Sequence, residues 1–311
     1  MFRNVYSTIA PRSLWVAIIN VGFAEKSGRL SLGGNPLPTG MDECRERNLP
    51  LEIVETIINV VDDKKTLKAC TLSCSYFRRN CQGRLFRDFE ISCNNDDAVF
   101  REGGLVHTVV YTDLHANVVS LIRWLKIENQ YGIWGMQGEG KFVDYMLGNF
   151  IRKLTVLERL DVRGTGLELK HGELVNGLIT ALQLPSFREL KLASLKFFPM
   201  QVILWGQSLR RVEFERVMFM PHIIPGGLKI SLASPSLEEL KMDNRKNGLA
   251  ILGLHLLSSA LGRAAFTNLK KLHLEYRESE GDTPNDIDNL LSVCQNSLED
   301  LNLFLTHDGM S

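Results

Sequence analysis

The sequence predicts an α/β chain in which a small three-helix module precedes a right-handed solenoid with a curved, open parallel sheet. Three observations predict it. From Leu157 onward a Leu-x-x-Leu-x-Leu pattern, or a close variant, keeps returning at spacings that suit one strand per repeat. The stretches between these motifs carry apolar residues every three or four positions, the period of a helix. Residues 48–88 read as three short helices with more apolar surface than about forty residues can bury among themselves. The domains that follow from this are 1–47, a loosely held tail and linker; 48–88, the helical module; and 89–311, the repeat region.

The tail comes first. Met1 to Phe23 has Arg3 and Arg12, Ser7 and Ser13, and no acid before Glu25, around an apolar run from Leu14 to Ile19. Arginines without acids are the composition of a mitochondrial presequence; a loose tail is the plainer expectation. The run is too short to span a bilayer, and no other stretch is apolar enough to do so. Ser27 to Gly40 is rich in Gly, Pro and Ser and reads as linker.

In the helical module, Leu49-Pro50 suits a first helical turn, because proline presets φ where no N–H partner is needed. Ile53, Ile57, Ile58 and Val61 form a helical stripe, with Glu52 and Glu55 near its start. Asp62-Asp63 breaks that helix and can cap the next, which carries Leu67, Cys70 and Cys74. A third helical piece is expected around Gln82 to Arg87. Cys70 and Cys74 have the spacing of metal ligands on a helix, but nothing nearby completes a site, so they are expected as buried small side chains.

The order Leu-Pro-x-Glu-Ile, an aspartate break, Leu-Lys-Ala-Cys-x-Leu, an aromatic and Arg-Leu-Phe resembles the F-box, in the form common in fungal F-box proteins. The resemblance implies that Leu49, Pro50, Ile53, Ile57, Leu67, Cys70, Leu72 and Phe77 form an apolar face for the Skp adaptor of a cullin ubiquitin ligase. Ser73 and Ser75 depart from the family pattern, which often has an aliphatic residue and an arginine there. The alternative is an ordinary three-helix cap on the domain that follows.

Phe89-Glu90-Ile91 is expected to be a first strand, followed by a strand over 105–111 and a helix over Asn117 to Ile127. The repeat motifs then centre on Leu160, Leu190, Val212, Leu240, Leu272 and Leu301, which stand 30, 22, 28, 32 and 29 residues apart. Gly172 to Leu182, Leu249 to Ala265 and Asn285 to Cys294 are predicted helices. This pattern resembles the leucine-rich repeat, in a degenerate form. The resemblance implies a stacked solenoid, and the asparagine or cysteine of the family's turn is replaced by Thr165, Leu195, Val217, Arg245, Arg277 and Thr306. Phe197, Phe198, Phe219 and Met220, in two loops that align with each other, are expected as ridge packing or as a hydrophobic anchor. No capping helix follows Leu303, so a strand edge is expected to stay open unless another chain covers it.

Strand alternation places the leucines inside and the residues between them on the opposite face. Arg159, Glu189, Arg211, Glu239, Lys271 and Asp300 then form one column of alternating sign. Asp161, Lys191, Glu213 and Lys241 form another, continued by His273 and Asn302. A third column holds Arg163, Ala193, Glu215, Asp243, Glu275 and Phe304. Its three successive acids repel one another, a cost that folding gives no reason to accept. Glu215, Asp243, Glu275, His273 and Phe304 are therefore the candidate client-binding residues, for a basic segment; neutralisation by Arg216, Arg245 and Arg277 is the alternative.

Lysine plus arginine equals aspartate plus glutamate at 36 each, which gives no reason to expect nucleic acid or an anionic membrane. Six cysteines without framework spacing fit a reducing compartment, cytoplasm or nucleus. There is no phosphate loop, no dinucleotide fingerprint, no Gly-x-Ser-x-Gly and no His-Glu-x-x-His, so no catalytic residue, cofactor or metal is expected. The expected function is a non-catalytic adaptor that docks on the Skp–cullin ligase core and presents a client protein. The alternatives are a leucine-rich-repeat scaffold without ligase docking and, remotely, a hydrolase whose site forms only in the fold.

Overall fold

The computed structural model describes residues 50–73, 75–92, 116–129, 139–164, 172–220, 235–244, 252–277 and 284–306. Residues 1–47, Leu49 and the strand expected over 105–111 lie outside the described residues. The chain divides into two compact units, Met1–Phe86 and Arg87–Ser311.

The first unit holds α1 (Leu51–Val60), α2 (Lys64–Ser73) and α3 (Ser75–Leu85). Pro50 caps α1, its carbonyl accepting the Ile53 N–H at 3.0 Å. The Asp63 carboxylate caps α2, accepting the Thr66 hydroxyl at 2.7 Å and the N–H groups of Thr66 and Lys65 at 2.8 and 3.2 Å. These bonds, that of the hydroxyl first, hold its pKa below the usual aspartate value. At the far end of α1, Arg84 of α3 donates to the carbonyls of Ile58 and Val61, the latter at 2.8 Å. A guanidinium there satisfies carbonyls that the helix leaves open and suits the negative end of its dipole. The third helix starts at Ser75, well before the expected Gln82. Its inward stripe is sparse, with Phe77, Cys81 and Leu85 four residues apart, so a polar helix shows little periodicity. Those three pack with Ile58, Leu67, Val61 and Cys70 in a small core.

The second unit is α/β. Strands β1 (Asp88–Ser92), β2 (Trp124–Asn129), β3 (Arg159–Gly164), β4 (Glu189–Ala193), β6 (Arg211–Glu215), β8 (Glu239–Asn244), β9 (Lys271–Arg277) and β10 (Asp300–Thr306) form one open parallel sheet. They lie side by side in chain order. Two short strands, β5 (Phe198–Pro199) and β7 (Phe219–Met220), pair separately. The described connections include α4 (Ala116–Val119), α5 (Glu139–Lys153), α6 (Glu173–Leu182), a 3-10 turn (Met200–Trp205), a π turn (Gly253–Leu257), α7 (Ala260–Phe266) and α8 (Pro284–Cys294).

The helix expected over Asn117 to Ile127 is instead the short α4 followed by β2. Ile122-x-x-Leu125-x-Ile127 is one more copy of the repeat motif, and Leu125 and Ile127 are fully buried while Trp124, Lys126 and Glu128 face the other way. Phe86-x-x-Phe89-x-Ile91, at β1, is another copy. The segment Leu249 to Ala265 is broken rather than continuous: the Ser259 hydroxyl accepts the Gly262 N–H at 3.0 Å and starts α7 afresh. Gly262 allows that break, since a Cβ there would lie 1.9 Å from the Leu256 carbonyl oxygen.

Strands β2, β3, β4, β6, β8 and β9 bury the apolar residues of their motifs. Leu160, Leu190, Leu240 and Leu274 are all fully buried, and each such side chain contributes about 1.5–3 kcal/mol by leaving water. Across the core, α5 and α6 cross backbone to backbone at Gly148 and Gly177. A Cβ on Gly148 would sit 2.1 Å from the Glu173 carbonyl oxygen. Asp144 of α5 supplies the cap that α6 lacks, accepting the N–H groups of Glu173 at 2.8 Å and Leu174 at 3.3 Å. Burial pushes the Asp144 carboxyl above its usual value against those two bonds.

After β4 and β6 the positions where the sequence resemblance called for asparagine or cysteine are apolar: Leu195 and Val217 are buried. Ser194 and Arg216, equivalent positions, both adopt left-handed backbone at φ 56° and 53°. The turns are tied by backbone bonds instead, Ser194 N to Glu215 O at 2.8 Å and Met218 N to Leu195 O at 2.8 Å. Phe198 and Phe219 pack with Phe214, the last two rings edge to face at 5.0 Å. Those two are ridge packing, with Phe197 and Met220 half-buried.

Candidate functional site

Two surfaces hold the residues singled out from sequence, one on each unit. On the first, α1 is apolar on two sides. Ile58 and Val61 turn into the small core. Ile53, Ile57 and Val60, at i, i+4 and i+7, lie on another side and are 46, 47 and 74% exposed. Leu72 of α2 and Pro50 are exposed too. Cys70 and Phe77 are half-buried against the core. Leu67 is a correction: it is buried among Ile58 and Cys81, so it holds α2 in place and offers no docking surface.

On the second unit the outward face of the sheet carries the charge columns in true register. The first runs Asp88, Trp124, Arg159, Glu189, Arg211, Glu239, Lys271, Asp300. Arg159 pairs with Glu189 at 3.3 Å, Arg211 with Glu239 at 3.5 Å, and the Arg159 guanidinium stands 4.5 Å over the Trp124 ring. The second runs Glu90, Lys126, Asp161, Lys191, Glu213, Lys241, alternating over six strands before His273 and Asn302. Lys126 holds Glu90 at 2.8 Å, and Glu213 is held by Lys191 at 2.7 Å and Lys241 at 3.0 Å. Burial alone would raise the Glu213 carboxyl; the two ammoniums outweigh it and hold the carboxyl below the usual glutamate value.

The third column brings Glu215, Asp243, Glu275 and Phe304 onto successive strands, as expected. Arg216 takes Glu215 at 2.9 Å, so that acid is partly neutralised by its neighbour. His273, one column over, lies 5.2 Å ring to ring from Phe304. Asp243 and Glu275 are half-buried. The five candidate residues thus form one contiguous patch near β10.

One ordering device escaped the sequence reading. A serine or asparagine stands just before the first apolar residue of the later motifs: Ser186, Ser208, Ser236, Asn268 and Ser297. Ser186 donates to the Leu157 carbonyl and Ser297 to the Leu269 carbonyl, each at 2.9 Å, while Asn268 donates to the Ser236 hydroxyl at 2.8 Å. These polar contacts tie the entries of β3 and β4, of β8 and β9, and of β9 and β10. The repeated Ser-apolar dipeptide was their signal.

Among the described residues, no group of His, Cys, Asp and Glu could hold a metal ion, and no helix is long and apolar enough to cross a membrane. Comparison with known protein families and with curated protein sequences gives no match.

Proposed function

We propose that the chain is a substrate-recognition adaptor of a Skp-cullin-F-box ubiquitin ligase, working in the cytoplasm or nucleus. The observation that carries this reading is the stripe Ile53, Ile57 and Val60, exposed on a helix whose other apolar side already fills the core. An exposed apolar stripe on a helix whose core side is already filled is the mark of an interaction surface. A partner groove covering the stripe would gain about 1 kcal/mol for each half-exposed aliphatic residue. The motif order Leu-Pro-x-Glu-Ile with its aspartate break makes the Skp adaptor that partner. The parallel sheet, read as a leucine-rich-repeat solenoid, presents the client, with Glu215, Asp243 and Glu275 beside His273 and Phe304 taking a basic segment. The chain performs no covalent step; holding a client near the ligase core turns ubiquitin transfer into an effectively intramolecular event.

Co-expression with the Skp adaptor tests the reading. A stoichiometric complex is expected to survive size-exclusion chromatography, and Ile53→Glu with Ile57→Glu should abolish it. A wild-type chain that never co-elutes with the adaptor would leave the scaffold reading in its place. For the client patch, reversing Glu215, Asp243 and Glu275 to lysine should release co-purifying clients; unchanged capture would remove the acid column from the site.

A further inference from the structure

We infer that the edge of β10 that no described strand pairs with is a strand-docking site for an extended segment of another protein, running parallel to β10 and carrying two consecutive basic residues followed by alternating aliphatics. This goes beyond the adaptor reading and does not rest on it.

The backbone sets the first requirement. Across the sheet, the carbonyl two residues before each central apolar position takes two consecutive N–H groups from the next strand. Arg188 O takes those of Arg210 and Arg211, Glu238 O those of Lys270 and Lys271, and Lys270 O those of Glu299 and Asp300, all between 2.8 and 3.0 Å. The same position on the last strand is Glu299. No N–H is bonded to its carbonyl oxygen among the described residues. An added parallel strand would supply the missing pair of donors.

Charge sets the second. The two residues ahead of the central position are Arg210-Arg211 beside β6, Glu238-Glu239 beside β8, Lys270-Lys271 beside β9 and Glu299-Asp300 beside β10. Like pairs of opposite sign succeed one another, with Arg210 on Glu238 at 3.7 Å and Arg211 on Glu239 at 3.5 Å. Glu299 and Asp300, both exposed, have a basic pair on one flank only. The next strand in this series carries two bases.

Apolar surface sets the third. Leu301 and Leu303 remain 42 and 40% exposed, although their register partners Leu272 and Leu274 are sealed at 1 and 0%. A strand with aliphatic residues opposite them would complete that row. A second copy of β10 fits worse. Paired in parallel it sets acid on acid; paired antiparallel about Leu303 it sets Asp300 against Thr306, and neither acid gains a base.

A labelled synthetic peptide with the β9 sequence, Asn268 to Arg277, has the required order and serves as the probe. Fluorescence anisotropy against the full chain should give saturable binding. The peptide carrying Lys270→Glu and Lys271→Glu should bind at least about tenfold more weakly, since like charges then face each other. A chain with Glu299→Lys and Asp300→Lys should reverse that preference, and Leu303→Asp should weaken both peptides; circular dichroism confirms that the exposed substitutions leave the fold intact. Equal binding of the two peptides, no binding of either, or an unchanged preference in the charge-reversed chain overturns the inference. Sedimentation showing a wild-type dimer that Leu303→Lys dissolves would assign the edge to a second copy and overturn it as well.

Discussion

The two units bury their apolar residues to very different ends. In the sheet unit the motif leucines of β2 to β9 disappear from solvent, and two of the outward columns match charge to charge. Among the described residues of the helical unit, Ile58, Leu67 and Cys81 form a small buried centre, while Ile53, Ile57, Val60 and Leu72 stay at the surface. The lesson is that apolar content alone does not place a residue. The sheet unit spends its leucines on its own stability, whereas α1 has apolar side chains left over after its core is filled.

The contrast can be broken most forcefully by truncating one aliphatic residue in each unit. Leu160→Ala should cost about 2–5 kcal/mol in chemical denaturation, because it opens a cavity in a fully packed core. Ile57→Ala should stay within about 0.5 kcal/mol, since the side chain touches mostly water. A large loss for Ile57→Ala would mean that the stripe is structural after all. Next in size is a glycine in each unit. Gly148→Ala should destabilise by about 1–3 kcal/mol, because its Cβ meets the backbone of α6. Gly83→Ala in α3 should stabilise by about 0.5–1 kcal/mol, because nothing lies within 4 Å of its Cβ and alanine favours helix. Thermal melts of the two variants moving in the same direction would contradict both placements.

The smallest expected effect concerns charge. Glu213 has a folded pKa held below its unfolded value, so its contribution is present above the unfolded value and lost as pH falls through the folded one. Glu213→Gln should therefore cost on the order of 1 kcal/mol at neutral pH and flatten the loss of stability in the acid range. A pH–stability profile that keeps its acid slope would show that the lysines on either side contribute nothing measurable.

Much of the sheet was legible because a motif with two periods, three then two, repeats with little else to imitate it. Register followed too, since Arg159, Glu189, Arg211 and Glu239 alternate in sign only if their strands are neighbours in chain order. β2 was lost because Asn117 to Ile127 also satisfies a helical spacing, and a short apolar run does not distinguish the two. α5 was lost for a related reason: Gly148 sits in its middle, and its partner is another glycine that no spacing rule connects to it. In the helical unit the apolar excess of α1 was visible, but which residues turn inward was not. Leu67 looks like a docking residue in sequence and is a core residue in space. Arg84 gave no warning, because the carbonyls it satisfies belong to residues more than twenty positions earlier.

The charge columns also constrain how such an array could change in length. Deleting β6 with its connection would lay Glu189 beside Glu239 and Lys191 beside Lys241, so both alternating columns would set like charges together at the new junction. Deleting β4 and β6 together would lay Arg159 beside Glu239 and Asp161 beside Lys241, restoring attraction. Gains and losses of material in this array are thus tolerated two at a time, a parity rule written in the side chains rather than in the backbone.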